Sequence, residues 1–331
     1  MNNIIAVTIG DINGVGVDIL LKLINKKKLK NIVLFSNIKI IKKYIVKCNL
    51  NIKLNEIKKN VDFKIGYLNI YSYSCKSNIE NTLKSITIAH KECLKENYIG
   101  LVTLPINKEL IIKKFYKNFL GHTEYLQKLE KKKYSNMILY HKKIIISPLT
   151  THLKLKSVTK KIKSQYLFNQ IINLNNSLKN DFNIKKPKII ISGINPHAGE
   201  NGTIGLEEKK IIKPTINKLK KLNVSIYGPF SADTMILNQN LKIYDCFVFM
   251  YHDQALIPFK FISNFSGVNF TGNLEIIRTS PDHGTAYNLK GTNKISDKSL
   301  INCFNLVKKI YINRFKNVKK TKKIISSKFF N

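Results

Sequence analysis

Three histidines stand where a strand-like run gives way to a loop. His252 and Asp253 follow the β-forming run Cys246 to Tyr251 in MYHDQALIPFK, His152 follows Ile144 to Ile146 in LTTHL, and His197 follows Lys188 to Ser192 in GINPHAGE. Strand ends of this kind are where open α/β sheets present chemistry. Three imidazoles gathered there would hold a divalent metal and leave positions open for a substrate. Asp253 could hold the second nitrogen of a ligating ring, and Asn195, Pro196 and Gly199 restrict the shape of the His197 loop. The competing reading is structural, because an isolated histidine beside a strand is more often a hydrogen-bonded loop residue than a ligand. The residues alone leave both readings open.

Arg278, in RTSPDHGTA, is the next candidate. Of the 57 basic residues only Arg278 and Arg314 are arginines. A guanidinium is planar and donates as a fork, which an ammonium cannot copy, so an arginine retained in such a chain marks a place where the fork matters. Arg314 lies in a basic C-terminal helix and carries no comparable signal. GHTEY at Gly121 to Tyr125 reads as a helix start with Glu124 in its first turn and His122 and Thr123 as donors. An N-cap by Thr123 with an exposed His122 explains it equally. GDINGVG at Gly10 to Gly16 lies between a strand and a helix, where a ligand loop would lie. Its order is not the dinucleotide fingerprint, and Asp11 inside it would repel a pyrophosphate, so a tight structural turn is an equal reading. Asp233 in FSADTM is read as an unpaired loop carboxylate.

With 331 residues the chain can build two domains of about 100 to 200 residues each. Met1 to Gly10 runs directly into a strand-like segment rather than a leader, and no apolar stretch reaches the roughly 20 residues that span a bilayer. A soluble, cytoplasmic protein without a membrane partner is expected. Five cysteines without a C-x-x-C pair argue against a disulfide framework and against a thiolate metal cluster. The formal net charge of +37 would suit a polyanion such as RNA. The lysines are spread through nearly every segment together with an excess of Asn and Ile, all three drawn from A/T-rich codons, so compositional drift explains the charge more simply than a nucleic-acid surface does.

Strand-like runs at Asn3–Ile9, Asn31–Ser36, Ile99–Leu104 and Lys188–Ser192 alternate with helical patterns, notably Ile79–Asn97, Ser157–Leu178, Gly205–Leu222 and Ser296–Arg314. A hairpin is expected across His141–Lys142–Lys143, and a short helix opening at His283–Gly284–Thr285. Repeated alternation of this kind indicates an α/β protein with a mainly parallel sheet.

Taken in order, GDINGVG, GHTEY, LTTHL, GINPHAGE, SADT, MYHDQ and RTSPDHGTA resemble the 4-hydroxythreonine-4-phosphate dehydrogenase family of vitamin B6 biosynthesis, from Gly10 to near Gly291. The resemblance implies an isocitrate/isopropylmalate dehydrogenase-like fold: two α/β/α domains, 1–120 with 265–331 and 121–264, with the active-site cleft between them. It implies that His152, His197 and His252 bind a divalent metal, and that His122, Thr123, Lys260, Asn269 and Arg278 hold a small phosphorylated amino-acid substrate. It also implies NAD or NADP as cofactor and a homodimer whose active site lies at the interface. Three imidazoles favour zinc, with magnesium or cobalt as alternatives. The implied reaction is oxidation and decarboxylation of 4-phosphooxy-L-threonine to 3-amino-2-oxopropyl phosphate. The alternatives are a sister dehydrogenase acting on threonate or erythronate phosphate, and a metal- or RNA-binding protein that has lost catalysis.

The chain departs from the family in three places. Ile12, Asn13 and Val17 replace two prolines and an alanine, Leu104 replaces a glycine, and Phe270 to Glu275 departs from T-x-G-L-P. Looser loops are expected there.

Overall fold

The computed structural model describes residues 3–58, 62–117, 119–292 and 296–329, with side chains described as far as 315. The strands among these residues are, in chain order, β1 (Ile5–Thr8), β2 (Ile32–Phe35), β3 (Leu54–Ile57), β4 (Leu68–Tyr71), β5 (Leu101–Thr103), β6 (Asn136–His141), β7 (Ile144–Pro148), β8 (Ile189–Ser192), β9 (Ile226–Phe230), β10 (Cys246–Phe249), β11 (Val268–Gly272) and β12 (Arg278–Pro281). The chain divides into two compact units, Met1–Leu126 with Glu275–Tyr311, and Gln127–Leu274 with Ile312–Asn331. No helix among the described residues is long and apolar enough to cross a membrane.

The first unit carries the strand order β3-β4-β2-β1-β5-β12, and every pairing in it is parallel. Parallel strands are covered on both faces, so they read as unbroken apolar runs. IAVT of β1 and IVLF of β2 are buried at every position. β12 enters last, with Arg278 opposite Leu101 and Thr279 opposite Val102 of β5.

The second unit carries the order β11-β6-β7-β10-β8-β9. β11, β6 and β7 pair antiparallel, whereas β7, β10, β8 and β9 are parallel. Leu139, Ile146, Ile190, Phe247, Phe249 and Phe259 build one apolar core on this sheet. Because β10 lies between β7 and β8 and runs with both, the segments carrying His152, His197 and His252 leave the sheet at its carboxyl edge.

Several local expectations give way to tertiary packing. The single helix expected over Ser157–Leu178 is two, Leu155–Lys161 and Ser164–Asn180. Ile162 between them has ψ 89° and is wholly buried, so turning its side chain into the core takes its backbone out of the helix. The helix expected from Gly205 begins as a π turn at Glu208–Ile212 and becomes regular over Lys213–Lys221. Gly205 has φ +153°, outside the helical region, and Pro214 supplies no N–H to the ladder. His141 is not a turn residue but the last residue of β6, paired with Ile144. The short helix near His283 is confined to Tyr287–Leu289, and the closing helix runs Lys298–Phe329, past the expected end at Arg314.

Arg314 proves to have a definite task. Its Nε donates to Asp181 Oδ1 at 2.7 Å, and its Nη2 donates to the Leu274 carbonyl at 3.3 Å. Asp181 is 3% exposed, and burial raises its pKa although Arg314 opposes the shift. Removing one partner of such a pair strands the other charge. Arg314→Ala is therefore expected to lower stability by about 2–3 kcal/mol, read from the urea midpoint, and to cost much less in an Asp181→Asn background. Equal losses in both backgrounds would show that the pair itself stabilises nothing.

Candidate active site

β7 and β10 end side by side, stitched by Leu149 N–H to the Phe249 carbonyl at 2.7 Å and by the Thr150 hydroxyl to the Met250 carbonyl at 2.8 Å. The loop after β7 carries His152, and the helix His252–Ser263 opens with His252 itself. The two rings lie 5.9 Å apart between centroids. His252 Nδ1 is 2.7 Å from Asp253 Oδ1, which fixes the ring and leaves Nε2 for a ligand. Gln254 accepts the Met250 N–H at 3.0 Å and reaches the Gly193 carbonyl at 3.5 Å, tying the end of β10 to the start of the His197 loop.

His197 is presented differently. His197, Ala198, Gly199, Glu200 and Asn201 all have positive φ, from 43° to 80°, so five residues in succession wind left-handed. Each such residue other than glycine costs roughly 1–2 kcal/mol. The turn is held from outside by Glu208, 2% exposed, which accepts the N–H groups of Ile194 at 2.8 Å and Asn195 at 2.9 Å and the Asn195 side-chain amide at 3.0 Å. Glu207 accepts from the same amide at 2.8 Å. The sequence did hold a sign of this clamp, because two adjacent carboxylates are conspicuous in a chain with only 20 acidic residues. Asp233, expected to be unpaired, accepts the Ser231 hydroxyl at 2.5 Å, and that bond above all lowers its pKa, with the His197 charge adding least.

Among the described residues no three His, Cys, Asp or Glu side chains are gathered into a metal-holding group. The structure brings together His152 and His252 but does not complete a trio with His197. Two neighbouring imidazoles, one anchored by a carboxylate, fit a divalent cation that takes its remaining donors from elsewhere. Also in the second unit, Lys260 lies on the helix His252–Ser263 with Nζ 4.8 Å from the centre of the Phe265 ring. Asn269 lies on β11, where its Oδ1 is buried without a hydrogen-bond partner.

The first unit holds the other candidates. Arg278 is 2% exposed. Its Nε and Nη2 donate to Thr103 Oγ1 at 3.0 and 2.6 Å, and its Nη1 donates to Thr123 Oγ1 at 3.4 Å. Thr123 follows His122, the first residue of the helix His122–Leu129, so the guanidinium is fixed beside the first turn of that helix. The exposed His122 of the capping reading is not found. Its Nε2 is buried and has no hydrogen-bond partner, and burial, then the charges of Arg278 and Lys108, depress its pKa well below the usual histidine value. A neutral imidazole and a buried guanidinium beside a helix start have the chemistry of a candidate cradle for an oxyanion.

The turn that lost its prolines is closed by other means. Asp11 accepts the Asn13 N–H at 2.9 Å, while Tyr287 donates its hydroxyl to Asp11 at 2.6 Å and Lys290 reaches the Ile12 carbonyl at 2.9 Å. Leu104, 1% exposed, packs into this turn, and a Cβ on Gly10 would come within 2.8 Å of its own Cβ.

The chain is an α/β protein with mainly parallel strands and imidazoles at strand ends, and the comparisons with known proteins make it an oxidoreductase. The chain matches the family described as pyridoxal phosphate biosynthetic protein PdxA over residues 28–307, and it belongs to that family. It is 36% identical to the 4-hydroxythreonine-4-phosphate dehydrogenase of a Sulfurihydrogenibium species, covering 91% of this chain and 96% of that one. It is also 36% identical to the enzyme of the same name from Wigglesworthia glossinidia brevipalpis, covering 97% and 100%. Among solved structures, 4-hydroxythreonine-4-phosphate dehydrogenase from Klebsiella pneumoniae superposes with a TM-score of 0.82 at 28% identity, covering 93% of this chain and 99% of that one.

The clamp and the imidazole are both open to test. In Glu208→Gln an NH₂ replaces one acceptor oxygen against a set of N–H donors, so stability is expected to fall by about 2 kcal/mol and the 193–202 loop to become sensitive to limited proteolysis. An unchanged urea midpoint and cleavage pattern would show that the carboxylate does not hold the turn. For His122 the folded pKa lies below the unfolded value of 6.5, so above that pH neither state binds the proton. Below it only the unfolded chain does, and stability falls with pH by up to about 1.4 kcal/mol per unit. His122→Gln is expected to flatten that acid slope in urea titrations, and an unaltered slope would place the responsible group elsewhere.

Proposed function

We propose that the chain oxidises 4-phosphooxy-L-threonine at C3 with NAD or NADP and releases carbon dioxide, giving 3-amino-2-oxopropyl phosphate for pyridoxal 5'-phosphate synthesis. Family membership supports the pathway, and the observation that carries the substrate class is the buried, unpartnered Nε2 of His122 beside Arg278. In this reading His122, Thr123 and Arg278 bind the phosphate, and Lys260 and Asn269 are assigned to the same substrate. His152 and His252 hold a divalent cation, zinc before magnesium or cobalt, with His197 as a further ligand. A homodimer whose active site lies at the subunit interface belongs to the same proposal and supplies a route for His197 to join them.

When bound, the cation would polarise the C3 hydroxyl and draw off negative charge as the β-keto acid loses carbon dioxide. A bound nicotinamide would supply the oxidant that accepts hydride from C3, the hydroxyl proton would be released, and C2 would be protonated after the carboxylate departs. Asp253 fixes the ring of His252 and so the direction in which its Nε2 points. Thr103 and Thr123 fix the guanidinium plane, so the phosphate, and with it C3, is held in one orientation.

Purified protein supplied with metal is expected to form reduced cofactor and carbon dioxide one for one from 4-phosphooxy-L-threonine. Turnover of threonate or erythronate phosphate instead would keep the chemistry and replace the substrate. Arg278→Lys preserves charge but cannot serve Thr103, Thr123 and a phosphate together, so kcat/KM is expected to fall roughly 30-fold to 150-fold with metal content unchanged. Near-normal turnover would remove Arg278 from the phosphate site.

A further inference from the structure

Gly121 precedes His122, and a Cβ placed on it would lie 3.0 Å from Glu124 Oε2 and 3.3 Å from Lys108 Nζ. The ammonium and the carboxylate therefore both lie against the bare backbone of Gly121, next to His122, and any side chain there would press on both. Glu124 Oε2 is shut off from solvent. Lys108 arrives from elsewhere, as the first residue of the helix Lys108–Lys114, whose N-cap Asn107 accepts the Leu110 N–H. Burial lowers the Lys108 pKa, the Glu124 charge acts against that shift and Arg278 acts with it. Lys108 and Arg278 both act on His122. Two cations and one carboxylate thus lie close enough to act on one another, and their formal sum is +1.

We propose that Lys108 is a further ligand of the substrate phosphate and that Glu124 is its resident competitor, occupying Lys108 until a phosphate monoester dianion takes that charge over. The inference rests on the phosphate reading of His122, Thr123 and Arg278. A carboxylate in this position has two effects. It offsets the charge of a half-buried ammonium in the free protein, and it repels an anion that cannot draw Lys108 away from it. The two side chains should then act on phosphate binding with opposite signs, whereas an ordinary structural ion pair would give both the same sign.

Inorganic phosphate is the probe, titrated calorimetrically into the full-length protein, with melting temperature followed alongside. Lys108→Met is expected to weaken phosphate binding roughly tenfold, and Glu124→Gln to tighten it several-fold even where it lowers the melting temperature. Loss of affinity in both variants, or in neither, would overturn the proposal. Should Lys108→Met fail to fold, the sign of the Glu124→Gln effect decides alone. Arg278→Lys separates the two levels. If it weakens phosphate binding while Lys108→Met does not, the pair has no part in the site. If none of the three variants alters binding, the phosphate reading itself falls.

Discussion

Parallel strand pairing constrains everything else in this protein. A parallel strand cannot return through a tight turn, so each is followed by a crossover, both faces of the sheet are covered, and strand interiors become apolar. IAVT, IVLF, IIIS and CFVF are the result, and polar side chains are left to the strand ends. In the second unit β7, β10 and β8 run together, and each sends a histidine segment to the same edge. In the first unit Arg278 faces Leu101 across the β12–β5 ladder, and its long side chain reaches two residues further, to Thr103 at the strand's end.

Within that frame, position is set by buried charge. Glu208, Arg278 and Asp181 are each 3% exposed or less. A buried charge is tolerable only where hydrogen bonds of definite direction meet it, and those bonds immobilise whatever supplies them. Glu208 thereby fixes a backbone that would otherwise relax out of five left-handed residues. Arg278 fixes two threonines, one of them in the first turn of the helix that carries His122. The imidazoles need no unusual contacts of their own, because the elements that carry them are held.

What the sequence shows directly is what depends on neighbours along the chain. Apolar runs and helical periodicity mark the α/β class, and abrupt polar residues at strand ends pick out His152, His197 and His252. Order and spacing of the motifs carry the family. What it hides depends on residues that meet only in three dimensions. Ile162 breaks a helix because the core takes its side chain, and Glu208 finds its N–H donors only once the 196–202 turn winds left-handed. Lys108 and Glu124 are 16 positions apart and both come up against Gly121, where a side chain would press on them. The turn expected to loosen without its prolines is instead tied by Asp11, Tyr287 and Lys290, and two of these come from a distant segment.

The two arginines show what compositional drift can and cannot replace. Lysine serves wherever a cation only has to face water, and with 55 of them most of this surface asks for nothing more. Arg314 was no candidate by its surroundings in the sequence, yet it joins a buried carboxylate to a backbone carbonyl. Arg278 joins two hydroxyls and still presents charge to the cradle. In both, one cation must satisfy acceptors lying in different directions while it is partly or wholly desolvated. A planar fork does that with little loss of freedom, whereas an ammonium on a flexible stem satisfies one direction at a time. Scarcity of arginine is therefore a structural signal in this chain as well as a functional one: it marks where direction, and not charge alone, is required.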